Sequence, residues 1–124
     1  VKLLLDTHAA LWWQGEDRRL SREARRAIAT ADIVWVSSAT GWEAAMKIGK
    51  GRLRLREPLG VTLVADDFSE LPVTLRHAEE FLRVPRHHGD PFDRILVAQA
   101  RVEGATIVTH DRAFEAYGIP VIWT

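Results

Sequence analysis

Cysteine is absent from this 124-residue chain, which excludes disulfides and thiolate-bound metals and fits a reducing, cytoplasmic setting. An excess of charge of either sign is missing as well, since 17 Lys and Arg balance 17 Asp and Glu. With zero formal charge there is no global basic field to gather nucleic acid, so any such binding must use a local patch. No apolar run is long enough to span a bilayer, and no segment reads as a signal peptide. The chain begins at Val1, where an initiator Met is expected to precede it. Repeats, low-complexity tracts and linkers are also lacking, and the expectation is one domain over residues 1–124. What remains, 47% hydrophobic and 27% charged residues, suits a soluble globular protein with a single core.

The most informative stretch is GDPFDRILVAQARVEGATIVTHD, ending at Asp111. Asp90 can accept from unpaired N–H groups at a helix start, and Pro91 has no N–H to waste in the first turn. Ile95, Leu96, Val97, Ala98, Ala100 and Val102 make that helix apolar nearly all round, as packing against a sheet requires. Gly104 stops it. Ala105 to Thr109 is short, β-branched and apolar, the pattern of a buried parallel strand. Asp93 therefore falls at the helix start and Asp111 just past the strand end.

The same alternation runs through the rest. Val1–Leu5 reads as a strand ending at Asp6, and a helix begins at Thr7 or just after. Taken alone, Asp6 is an N-cap. Trp12 and Trp13 read as core and edge packing, and Ser21 opens a second helix with an Arg-rich solvated face. Ile33–Ser37 is a second strand, followed by a helix to about Lys50 with Trp42, Ala45, Met46 and Gly49 as its apolar stripe. Glu43, taken alone, is a surface partner of Lys47 at i+4. Lys47, Lys50, Arg52, Arg54 and Arg56 form the densest positive run, a solvated face or a phosphate- or partner-contacting patch. Residues 60–70 suggest a short helix, Glu70–Val73 an edge strand, and Arg76–Val84 a helix with Ala78, Phe81 and Leu82 inward. His87 and His88 are adjacent and lack HxxxH spacing, which argues against a transition-metal pair. A short helix near Tyr117 and an edge strand at 119–123 close the chain.

Strands alternating with helices predict an α/β fold, a parallel sheet covered on both faces. Ligands in such sheets collect at the carboxyl ends of the strands where strand order reverses. Asp6, Thr109 and Asp111 meet there if their strands are neighbours, and Glu43 and Asp93 can join them. Clustered carboxylates raise one another's pKa and oppose folding. A divalent cation relieves the conflict, and oxygen-only ligands select Mg²⁺ or Mn²⁺. Metal-assisted phosphodiester hydrolysis is the chemistry that follows.

The motifs LLLDTHAALWW, SSATGWEAAMKIGKGRLRL, LPV, HHGDPFDRILVAQARVEGATIVTHD and YGIPVIW resemble, in order and nearly end to end, the PIN-domain ribonucleases of VapC type. The resemblance implies a three-layer α/β/α fold with strand order 3-2-1-4-5. It implies an endoribonuclease toxin of a toxin–antitoxin pair, with Asp6, Glu43, Asp93 and Asp111 as the acidic site and Thr109 beside them. It also implies an RNA substrate, a homodimer, and an antitoxin whose tail covers the acidic groove. His110 stands where Arg or Asn is frequent in the family, and Gly41 where Ala or Ser is usual. The rival from another class is a catalytically inactive PIN-like binding module whose acids are caps and surface pairs. A receiver domain lacks support, because no second acid follows Asp6 and no Lys follows the last strand.

Overall fold

Leu3, Leu4 and Leu5 are completely buried, and they point alternately to opposite faces of the sheet they build. The computed structural model describes residues 1–87 and 89–124. In it, β1 (Lys2–Leu5) is the centre of a five-stranded sheet completed by β2 (Ile33–Ser37), β3 (Ser69–Leu71), β4 (Thr106–Thr109) and β5 (Val121–Trp123). The order is β3-β2-β1-β4-β5 and every pairing is parallel. Leu4 packs with Leu96, Ile107 and Phe114 on one face, while Leu3 and Leu5 pack with Ala9, Leu20, Ala24 and Ile28 on the other. A strand buried on both sides needs helices on both sides, and the result is the three-layer α/β/α arrangement.

The helices are α1 (Thr7–Gln14), α2 (Arg22–Thr30), α3 (Ser38–Gly49), α4 (Leu59–Ala65), α5 (Leu75–Phe81) and α6 (Pro91–Glu103), with a 3-10 helix over Arg112–Tyr117. Polar caps set where most of them begin. Asp6 accepts from the Ala9 N–H at 2.8 Å, Ser21 from Ala24 at 3.0 Å, and Ser37 from Ala39 at 3.0 Å. Asp90 caps α6 with Pro91 behind it, and Gly104 ends that helix with a left-handed φ of 68°. Among the described residues no helix is long and apolar enough to cross a membrane.

Two expected faces turn out differently. The stripe of Trp42, Ala45, Met46 and Gly49 faces outward, with Trp42 66% exposed. The buried side of α3 is instead Ala39, Thr40 and Ala44, small residues that let it approach α6 and α1 closely. On α5, Ala78 and Leu82 are exposed and only Phe81 packs inward, because His77 takes the buried position. Its Nδ1 accepts from the Thr74 N–H at 3.0 Å and its Nε2 meets Glu103 at 2.8 Å, so the imidazole is buried with both nitrogens satisfied.

Candidate active site

Register brings the first and last acids together. Leu5 lies opposite Val108 between β1 and β4, and the Asp6 N–H donates to the Val108 carbonyl at 3.0 Å. One residue further on, the Thr109 hydroxyl donates to Asp6 Oδ2 at 2.5 Å, while the Asp111 N–H donates to Thr109 Oγ1 at 3.0 Å. Strand order reverses between β1 and β4, so these groups sit where a parallel sheet opens a crevice. Thr109 is wholly buried, behind the carboxylate it bonds.

Asp6 opens onto a cavity of about 230 Å³. Its acids are Asp6, Glu43, Asp90, Asp93 and Asp111, and its other walls are Thr7, His8, Lys47 and His110. The four expected carboxylates are thus gathered from the end of β1, the second turn of α3, the first turn of α6 and the loop after β4. Glu43 is fixed twice: Thr7 Oγ1 donates to its Oε1 at 2.5 Å, and Lys47 Nζ lies 3.2 Å from its Oε2. The helical pair with Lys47 exists, but it stands at the rim of the cavity rather than on an isolated surface. Asp111 Oδ1 accepts from the Ala113 N–H at 2.9 Å and Asp90 Oδ1 from Phe92 at 2.9 Å, so each also caps a helix.

The electrostatics show what gathering these acids entails. Burial, and then the charges of Asp90, Asp6, Glu43 and Asp111, push the Asp93 carboxyl up to about 7. Burial also raises Asp6, against the opposing pull of the Thr109 hydroxyl and the Ala9 N–H, which favour its charged form. Among the described residues, no three acidic or histidine side chains already converge as a closed metal cage. A hard cation does not require one, because Mg²⁺ keeps several waters and is commonly held by one or two carboxylates together with substrate phosphate. The donor set, carboxylate oxygens that repel one another, fits such an ion.

Of the basic run, Lys47 alone reaches this cavity. Arg54 and Arg56 line a separate hollow of about 550 Å³ with Leu11, Gln14 and Glu16, and Lys50 and Arg52 are exposed. His87 packs edge-on against Tyr117 at 4.9 Å, while His88 lies outside the described residues. Reasoning on single residue types passed over Thr7, His8 and His110. A signal was there: DTH after the first strand and THD after the fourth place hydroxyls and imidazoles beside both acids.

Comparison with known proteins gives the same direction. The chain is 33% identical to Ribonuclease VapC22 of Mycobacterium tuberculosis over 121 residues, covering 95% of this chain and 93% of that one. Its fold resembles the crystal structure of VapBC2 from Rickettsia felis bound to a promoter DNA fragment, with a TM-score of 0.75 at 12% identity over 99% of this chain and 98% of that chain. It also resembles DNA-bound VapBC from Salmonella typhimurium, with a TM-score of 0.71 at 20% identity and the same coverage. The PIN domain model matches residues 3–120, and the chain belongs to the PIN-domain family.

Proposed function

We propose that this chain is a Mg²⁺-dependent endoribonuclease, the toxin of a toxin–antitoxin pair, and that residues 1–124 act as one PIN domain. The observation that carries the reading is the cavity itself: Asp6, Glu43, Asp93 and Asp111 line one space, and burial together with these acidic neighbours raises Asp93 to about 7. Charges assembled against their own repulsion in a cleft support a functional role for this cavity. Resemblance to a curated VapC ribonuclease supports RNA as the substrate, and the cytoplasm is where such a chain would meet it.

Asp6, Asp93 and Asp111 would hold the cation, directly or through its retained waters, with Glu43 and Thr109 completing the catalytic set. When bound, Mg²⁺, or Mn²⁺ in its place, supplies Lewis acidity, which lowers the pKa of water and stabilises charge on a phosphoryl group. The chain's own groups do the positioning. Thr109 and the Ala9 N–H hold the Asp6 carboxylate in one orientation. Thr7 and Lys47 hold Glu43, and Lys47, 40% exposed, offers positive charge to an incoming phosphate. With its carboxyl raised to about 7 by burial and its acidic neighbours, Asp93 shares its proton with solvent near neutrality, and a bound cation would favour its charged form.

Partners follow from surfaces outside the cavity. Trp42 and Met46 border an apolar hollow of about 630 Å³ with Val73, Phe92 and Ile95, a surface suited to a second copy of the chain. The solved VapBC complexes support an antitoxin partner, which we place over the acidic cavity and, separately, against the Arg run.

One observation favours the rival, an inactive PIN-like module: Asp6, Asp90 and Asp111 each cap a helix and so have structural work without any chemistry. RNA cleavage by the purified chain, with Mg²⁺ and with chelator, separates the two. Expected is Mg²⁺-dependent cleavage that falls by orders of magnitude in Asp6→Asn and Asp93→Asn, with native circular dichroism in both. Full cleavage in both variants would sink the site assignment, and no cleavage by the parent leaves the inactive module.

A further inference from the structure

Beside the acidic cavity stands a group of rings that the proposed chemistry leaves unused. His8 on the first turn of α1 and Trp12 one turn later share a face, with ring centroids 5.7 Å apart and planes tilted by 54°. His110, just past β4, closes the group at 4.8 Å from His8, edge-on, and 5.0 Å from Trp12. Arg19 lays its guanidinium over the Trp12 ring at 4.7 Å and is itself anchored by Asp17. Both imidazoles line the acidic cavity and both are exposed, while Trp12 is half-buried against the core.

Packing accounts for Trp12 but not for the histidines. Exposed side chains bury little apolar area and add little to stability. Yet two separate segments bring their rings into mutual contact at the mouth of the site. Such a surface, two exposed imidazoles set against a half-buried indole at the mouth of the site, is what an unstacked nucleobase binds.

The geometry points to a base-stacking platform: His8, His110 and Trp12 receive the base of the nucleotide next to the phosphate held in the acidic cavity. This rests on the ribonuclease reading above and narrows its substrate class to RNA with an unpaired nucleotide flanking the cut. Stacking needs a π-face rather than a particular hydrogen-bonding edge, so the platform tolerates different bases. It does not tolerate pairing, because a base inside an RNA duplex cannot be splayed out onto protein rings.

The test uses short single-stranded RNAs carrying the fluorescent base 2-aminopurine at each position in turn, bound to the parent chain in chelator and to Asp93→Asn. One position should quench strongly on binding, it should flank the cleavage site, and annealing a complementary strand should abolish the quench. His110→Ala should remove the quench and raise the RNA Kd and KM about tenfold, the loss of one stacked base, with the effect falling on KM rather than kcat. His110→Phe should restore both. Cleavage by the parent with no quenching position, or unchanged RNA affinity in both His110→Ala and His8→Ala, overturns the platform and leaves the ribonuclease reading intact. A parent that cleaves no RNA overturns that reading instead, and the quench then decides the platform alone.

Discussion

Thr109 and Asp6, 103 residues apart in the chain, share a hydrogen bond of 2.5 Å that joins the ends of two neighbouring strands. The same hydroxyl oxygen accepts from the Asp111 backbone, so one small side chain orients an acid and the loop that carries another.

Thr109→Val keeps the shape and removes the hydroxyl. Asp6 then loses a donor and the Asp111 N–H loses an acceptor, a loss of about 1–3 kcal/mol for buried polar groups left unsatisfied. The urea midpoint should drop accordingly and RNA cleavage should fall with it, while Thr109→Ser recovers most of both. A Val variant with the parent's midpoint would show that the hydroxyl does not hold this corner together.

The raised Asp93 carboxyl makes stability depend on pH with a definite sign. From 3.8 up to about 7 the unfolded chain loses this proton while the native chain keeps it, so native protein binds more protons. Stability in chelator should therefore fall as pH rises through that window, and this group adds no further change above it. Asp6, raised by burial, contributes in the same direction. Asp93→Asn should flatten the profile and melt higher than the parent at pH 8, even as it abolishes cleavage. A steeper fall in the variant would contradict the assignment.

Adding Mg²⁺ should reverse part of that loss by mass action. An ion at 100 times its Kd stabilises the native state by about 2.7 kcal/mol. The parent should show a rising melting temperature across a Mg²⁺ titration and Asp93→Asn a much smaller rise. A flat parent curve would leave the caps as the better account of these acids.

Arg52, Arg54 and Arg56 lie away from the acidic cavity, and neutralising all three tests whether they contact phosphate. Three lost contacts should make the log Kd against log salt plot shallower by about 2 for single-stranded RNA. Cleavage at saturating RNA should change less. Unchanged affinity and slope for both RNA and antitoxin would return the run to a solvated face.

Trp42→Glu with Met46→Glu should convert the proposed dimer to a monomer in sedimentation velocity, because the pair places charge in an exposed apolar hollow. Unaltered sedimentation would exclude this face.

Element boundaries were readable because the caps are chemically explicit. Asp90-Pro91, Gly104 and Ser21 each have one strong local preference, and each sits where that preference puts it. The gathering of Asp6, Glu43, Asp93 and Asp111 was less readable, since strand order is a property of the whole sheet and came from family resemblance. Periodicity misled on α3 and α5. It identifies a stripe without saying which way the stripe faces, and close approach to α6 favoured Ala39, Thr40 and Ala44 over Trp42. His77 was unreadable as a core residue because the groups that satisfy its ring include Glu103 and Gln99 on another helix besides the Thr74 backbone.

Both margins of the sheet are short. β3 and β5 are three residues each, with Pro72 directly after one and Pro120 directly before the other. Proline donates no backbone hydrogen bond, and three residues offer little ladder to an added strand. Extending the sheet from one molecule into the next is thereby discouraged, which protects the chain against edge-to-edge aggregation at high concentration. The surfaces left to a partner are the helices and the mouth of the crevice, where recognition is a matter of side chains rather than backbone.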